Sequence, residues 1–365
     1  MKRAASCGSF FHGDKMKVCI LGLPNSGKTT IFEALTQREV QQNHKDKFHY
    51  GIVKVPDSRI DLLSDTFKPK KTTYPEIEFV DYIREGEQKS FNADYIAKLK
   101  ESDGILKVIR DFENDIYPPA FAKVDPIKEL SEIDDEVILN DIGIIEKRLE
   151  KLKTAKYKLS ADEKSEMTIL QNFNEILSSG KMIYSVELNK EEEKVARNYG
   201  LMSAKNEIIV INIDDPAREI SAELKERIES SKRTYAVISA VNEKELNQLD
   251  SESKMEFAKE MHIEEFGIQK IIRHLYTMLK LITFFTVGED EVKGWTIKDG
   301  TNALKSAGKI HSDIERGFIK AQIASFEDFK KYANFKDCVK HGVLRLEGKE
   351  YIMKDGDIVE FKFNV

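Results

Sequence analysis

Two rhythms of apolar residues run along this chain. Residues 17–22, KVCILG, are a β-branched and apolar run that stops at a glycine, and IFEALTQ follows with Ile31 and Leu35 at helical spacing. EIEFVD, Glu76 to Asp81, and EIIVIN, which ends at Asn212, repeat the pattern of a buried strand. From Ile144 to Ile176 no Gly or Pro occurs, Lys and Glu are dense, Ile145, Leu149 and Leu152 share a face, and Leu170, Phe173 and Leu177 follow. That spacing predicts two antiparallel helices meeting near Leu159–Asp162, and their charged residues read as a solvated face. The last part of the chain changes to short strands separated by turn glycines: Trp295–Ile297, Phe318–Ile323 and Ile358–Phe363, punctuated by Gly300, Gly308, Gly317 and Gly356. His311, in AGKIHSDIERGF, reads as a packing or hydrogen-bonding residue.

With 365 residues the chain is long enough for two or three domains. Hydrophobic residues at 41% support packed cores, and charged residues at 33% imply a strongly charged surface. A formal net charge of -6 gives no overall field toward nucleic acid or an anionic membrane, so such binding would fall to local patches. Cys7, Cys19 and Cys338 are too few and too scattered for a disulfide framework or a metal-ligand spacing, which favours a reducing cytoplasm. No apolar run has the length of a membrane span, so no membrane association is expected. The first fifteen residues lack the apolar run of a secretion signal and are expected to be a disordered extension, with Met16 a candidate start.

Chemistry concentrates between the first strand and the first helix. Gly22-Leu23-Pro24-Asn25-Ser26-Gly27-Lys28-Thr29 is GxxxxGK[ST], in which glycines let backbone amides turn inward toward an anion at a helix N-terminus. The amides of Asn25, Ser26, Gly27, Lys28, Thr29 and Thr30 would cradle phosphates, and Lys28 would reach the β and γ phosphates. The Thr29 hydroxyl would ligate Mg²⁺, and Asp81, at the end of its strand, would hold the same ion through water.

Read together, these segments resemble the YchF/Obg-like ATPase family of translation-factor-class P-loop proteins. GLPNSGKTTIFEAL, GIVKVPDSRIDLLSDTFKPKK, KVDPIKELSEIDDEVILNDIGIIEKRLEKL and most of residues 283–365 carry the likeness, which covers nearly the whole chain. The resemblance implies an α/β fold: a doubly wound P-loop G domain over 16–142 and 204–280, a helical coiled-coil insertion over 143–203, and a ubiquitin-like β-grasp (TGS) domain over 281–365. It also assigns the base site. Asn212, Ile213 and Asp215 stand where the family has NxxE and guanine-specific relatives have NKxD, and Ser239-Ala240 match the next base-contacting loop. Ile213 removes the stacking lysine of the guanine readers, yet Asp215 keeps their shorter carboxylate, so ATP and GTP both stay open, with ATP ahead.

Both switches depart from the family. No Ser or Thr occurs from Gln37 to Tyr50, so the expected metal-ligating hydroxyl is missing, and Arg84 replaces the glycine of DxxG. Glycine there lets the switch swing and its amide approach the γ-phosphate. Arg84 would instead supply positive charge to the transition state, or the chain would bind nucleotide and hydrolyse it poorly. The resemblance therefore implies a cytoplasmic, monomeric, Mg²⁺-dependent ATP- or GTP-hydrolysing protein, with Lys28, Asp81 and Arg84 in catalysis and the ribosome or RNA as partner. The alternative is a catalytically weak, nucleotide-dependent binding protein that docks partners through its arm and TGS domain. A small-molecule kinase is a third reading, for which no acceptor-site motif is visible.

Overall fold

The computed structural model describes residues 16–40, 47–82, 93–260, 265–332 and 334–364. The N-terminal extension and Arg84 lie outside the described residues. The chain forms two compact units, one of residues 16–52 and 78–275, the other of residues 53–77 and 276–365.

In chain order the elements begin β1 Met16–Leu21, α1 Lys28–Thr36, β2 Phe48–Lys54, α2 Ser58–Phe67, β3 Lys71–Thr73 and β4 Glu76–Tyr82. They continue α3 Ala93–Glu101, β5 Gly104–Asp111, α4 Pro126–Lys153, α5 Ala161–Ser178, α6 Lys190–Asn198, β6 Glu207–Ile213, α7 Ala222–Ser230 and β7 Thr234–Ile238. Then come α8 Ala240–Leu246, α9 Ser251–Glu260, α10 Gly267–Met278, and strands β8 Leu281–Thr286, β9 Glu291–Lys298, β10 Phe318–Ser325, β11 Arg345–Glu347 and β12 Asp357–Phe363.

The larger unit is built on a six-stranded sheet in the order β2-β4-β1-β5-β6-β7, with β1–β5, β5–β6 and β6–β7 paired parallel. Every position of β6 is buried, as expected of a strand covered on both faces by helices. Register sets Arg110 of β5 beside Asn212 of β6, so chemistry carried at the C-terminal ends of the middle strands meets along one edge of the sheet.

The helical pair forms as its spacing predicts, but it starts earlier than 143. Asp125 caps α4 by accepting from the Lys128 amide at 3.0 Å, and Pro126 supplies the first turn. A capping box between Ser160 and Glu163 starts α5. The two helices are tied by a bidentate pair, in which Arg148 Nε and Nη2 each donate to Glu166 at 2.9 Å. Ile145, Leu149, Leu170, Phe173 and Leu177 share one hydrophobic cluster with Ile133 of α4 and with Ile209 and Ile211 of the sheet. The hairpin is thus continuous with the core of this unit.

In the smaller unit the sheet order is β11-β10-β12-β8-β9-β3. β3 pairs parallel with β9, placing Thr72 opposite Val292. Ile60 and Leu63 of α2 are buried against Phe285, Ile358 and Phe329. Residues 53–77, which the linear reading keeps with the nucleotide-binding segments, therefore supply an edge strand and a helix to the unit that holds the C-terminus.

Candidate functional site

The phosphate loop is shaped by two residues with positive φ: Asn25 at 60° and Gly27 at 89°. Gly22 has no room for a side chain, since a Cβ there would sit 2.6 Å from the Val108 carbonyl oxygen. Lys28 opens α1 and its Nζ donates to the Leu23 carbonyl at 2.7 Å, folding the side chain over the loop. Thr29 Oγ1 donates to Asp81 Oδ2 at 2.9 Å. The Asp81 side chain is fully buried, and its Oδ1 has no hydrogen-bond partner. Thr30 follows in the same helical turn.

Asn212 joins the start of α8 to the Gly22–Thr29 loop. Its Nδ2 donates to the Ser26 carbonyl at 3.1 Å, and its Oδ1 accepts from the Ala240 amide at 3.0 Å. Ser239 caps α8 and donates from Oγ to the Asp214 carbonyl at 3.3 Å. Asp215 is exposed at the surface end of this region, where its Oδ1 accepts from the Ala217 amide at 2.9 Å. Ile213 is buried, packing in the core while also facing the pocket beside these loops. That pocket, about 630 Å³, runs from Asp215 and Ser239 to Tyr235, Phe257 and Phe266.

Arg110 was not singled out by the sequence. It lies fully buried at the end of β5, and its guanidinium donates from Nη1 to the carbonyls of Asn25, at 3.2 Å, and Tyr117, at 2.9 Å. Nε donates to the Phe112 carbonyl at 2.9 Å, and the Phe112 ring lies 4.4 Å from the guanidinium carbon. Asn25 Nδ2 in turn donates to Pro118 O at 3.0 Å. Neighbouring strands thus hold consecutive loop carbonyls, Arg110 that of Asn25 and Asn212 that of Ser26. The only hint in the sequence is an arginine near the end of the apolar run ILKVIRD.

Glu129 of α4 accepts from the Arg110 amide at 3.0 Å. Burial pushes its carboxyl up to about 7, against the pull of the Arg110 amide and of Lys28. An acid whose pKa is raised by folding carries its full penalty above the folded value and loses it as pH falls toward the ordinary 4.5. Glu129→Gln is therefore expected to be more stable than the parent by ~2–3 kcal/mol at pH 8, with the two converging near pH 4.5 in denaturant titrations. A gap that is independent of pH would refute this.

The chain is 35% identical over 360 residues to the ribosome-binding ATPase YchF of Bacillus subtilis (strain 168), covering 95% of this chain and 98% of that one. The chain belongs to the YchF family. Ribosome-binding ATPase YchF of Haemophilus influenzae is 34% identical over 96% of this chain and 99% of its own length. A family model described as YchF-GTPase_C, "Protein of unknown function (DUF933)", matches residues 281–364. Among solved structures, the Schizosaccharomyces pombe YchF GTPase superposes with a TM-score of 0.84 at 28% identity, over 96% of this chain and 98% of that one. Among the described residues no helix is long and apolar enough to cross a membrane.

Proposed function

We propose that this YchF-family chain binds and hydrolyses ATP or GTP with Mg²⁺ and acts in association with the ribosome. The observation that carries the reading is the Thr29–Asp81 hydrogen bond at 2.9 Å, which joins the last residue of the phosphate-loop motif to the acid of a second strand. A buried carboxylate with one unpaired oxygen beside a hydroxyl fits a hydrated divalent cation, because such an atom is costly unless a ligand satisfies it. Thr29 would hold the ion directly and Asp81 through water. When bound, the ion would offset charge on the β and γ phosphates.

The amides from Asn25 to Thr30 bind the phosphates, and Lys28 exchanges the Leu23 carbonyl for a phosphate oxygen. Asn212, Ser239 and Ala240 border the base, with Asp215 at its edge; Ile213 offers no cation to stack on it. Arg84 supplies charge to the transition state or, with the first-switch hydroxyl missing, turnover is slow and the protein works chiefly as a nucleotide-dependent binder. The C-terminal unit, read as a TGS module, and the helical hairpin are the docking elements.

Calorimetric titration of the full chain with ATP and with GTP, each with Mg²⁺, tests this. Binding of at least one nucleotide is expected, ATP more tightly, with Lys28→Ala weakening it by about tenfold or more and Asp215→Glu shifting preference further toward ATP. Phosphate release then separates turnover from binding alone, and co-sedimentation with ribosomes with and without nucleotide tests the partner. Failure of both nucleotides to bind sinks the reading.

A further inference from the structure

Beside the phosphate loop, the imidazole of His49 stands next to Asp81, the acid that would hold the ion through water. Thr29 Oγ1 is 2.9 Å from Asp81 Oδ2, and His49 Nδ1 is 3.6 Å from the same oxygen.

Two of the polar atoms here are buried without hydrogen-bond partners: His49 Nδ1 and Asp81 Oδ1. Each carries a desolvation cost that a bound ion would remove. The imidazole is also well held. Its ring packs 5.9 Å from Phe32 of α1, and two residues further on β2 approaches α1 so closely that a Cβ on Gly51 would meet the Thr36 side chain.

We infer that His49 is a nitrogen ligand to the divalent cation accompanying the nucleotide, so that this site favours Mn²⁺ or Co²⁺ over Mg²⁺. The inference rests on the nucleotide-binding reading above. Divalent first-row transition ions accept an imidazole nitrogen, Mn²⁺ the most weakly and Co²⁺ more strongly, whereas Mg²⁺ is held by oxygen ligands and keeps much of its water. Residues 37–50 hold no Ser or Thr, and among the described residues of that stretch His49 forms an ion-pair contact with Asp81. Among the described residues no group of three or more His, Cys, Asp or Glu is placed to hold a metal alone. Phosphate oxygens and water must complete the shell, so the ion binds with nucleotide rather than before it.

The full chain, loaded with a non-hydrolysable ATP analogue and Mn²⁺, gives a direct readout. Electron spin-echo spectroscopy should show modulation from a coordinated imidazole nitrogen, and His49→Ala should abolish it. In competition, Mn²⁺ should outbind Mg²⁺ by about tenfold more in the parent than in His49→Ala. If the analogue binds with Mn²⁺ and the parent shows no nitrogen modulation, the assignment of His49 is wrong while nucleotide binding stands. If neither this analogue nor the corresponding GTP analogue binds with either metal, both readings fall.

Discussion

Gly27→Ala is expected to cut nucleotide affinity by about a hundredfold or more while leaving both units folded. Gly27 sits at φ 89°, where an L-residue costs roughly 1–2 kcal/mol. A Cβ there would also lie 2.2 Å from Asn212 Nδ2, far inside contact distance. Asn212 cannot yield freely, because that nitrogen donates to the Ser26 carbonyl and its oxygen accepts from the Ala240 amide. Displacing it strands buried polar groups at about 1–3 kcal/mol each and turns the loop amides away from the phosphates. With about 1.4 kcal/mol per tenfold in affinity, the sum reaches a hundredfold. Gly143→Ala is the control: nothing lies within 4 Å of a Cβ at that position, which is inside α4, so a neutral or slightly stabilising change is expected. Titration with Mg-ATP and thermal melts of both variants decide the matter. Binding by Gly27→Ala within a few-fold of the parent would show that the loop does not hold the nucleotide.

The strand, loop and helix around Gly22–Thr29 were legible because GxxxxGK[ST] is a short local pattern, whereas Asn212 came only through the resemblance, and the structure sets it against the Ser26 carbonyl of that loop. The helical hairpin was legible for a similar reason: Leu149, Leu170, Phe173 and Leu177 reach the core in the order their spacing announces. What escaped depends on residues far apart in the chain. Ile60 and Leu63 look like any amphipathic helix of the first half, and only Phe285 and Ile358, more than 200 positions away, show which core they enter. Arg110 reads as a strand-end charge until the Asn25 and Tyr117 carbonyls are seen around it. His49 carries no motif, and its meaning comes from lying against Asp81. Spacing along the sequence encodes periodicity well and cross-strand proximity hardly at all.

Replacing Lys107 should have the largest effect on stability, a loss of about 3–5 kcal/mol for Lys107→Met. Lys107 is on β5 between β1 and β6, and its side chain is fully buried. Its Nζ lies 2.5 Å from Asp134 of α4 and 2.6 Å from Glu207 at the start of β6. Arg233 stands 2.6 Å from Asp134, and the Tyr184 hydroxyl donates to Glu207 at 2.9 Å. Two cations and two anions make the cluster neutral, so deleting Lys107 leaves a buried negative charge that methionine cannot satisfy. Adding Glu207→Gln restores neutrality while keeping an acceptor for Tyr184, and should recover part of the loss, a coupling that a double-mutant cycle measures. The pH dependence gives a second check. Burial pushes the Asp134 carboxyl up, but Lys107 and Arg233 outweigh it and hold it below its ordinary 3.8. A depressed acid contributes stability above its unfolded value and loses it as pH falls through the folded one. The gap between the parent and Lys107→Met should therefore be widest near neutrality and narrow as acid protonates the orphaned carboxylates. Equal unfolding midpoints for the two proteins at pH 7 would mean that this network does not bind α4 to the sheet.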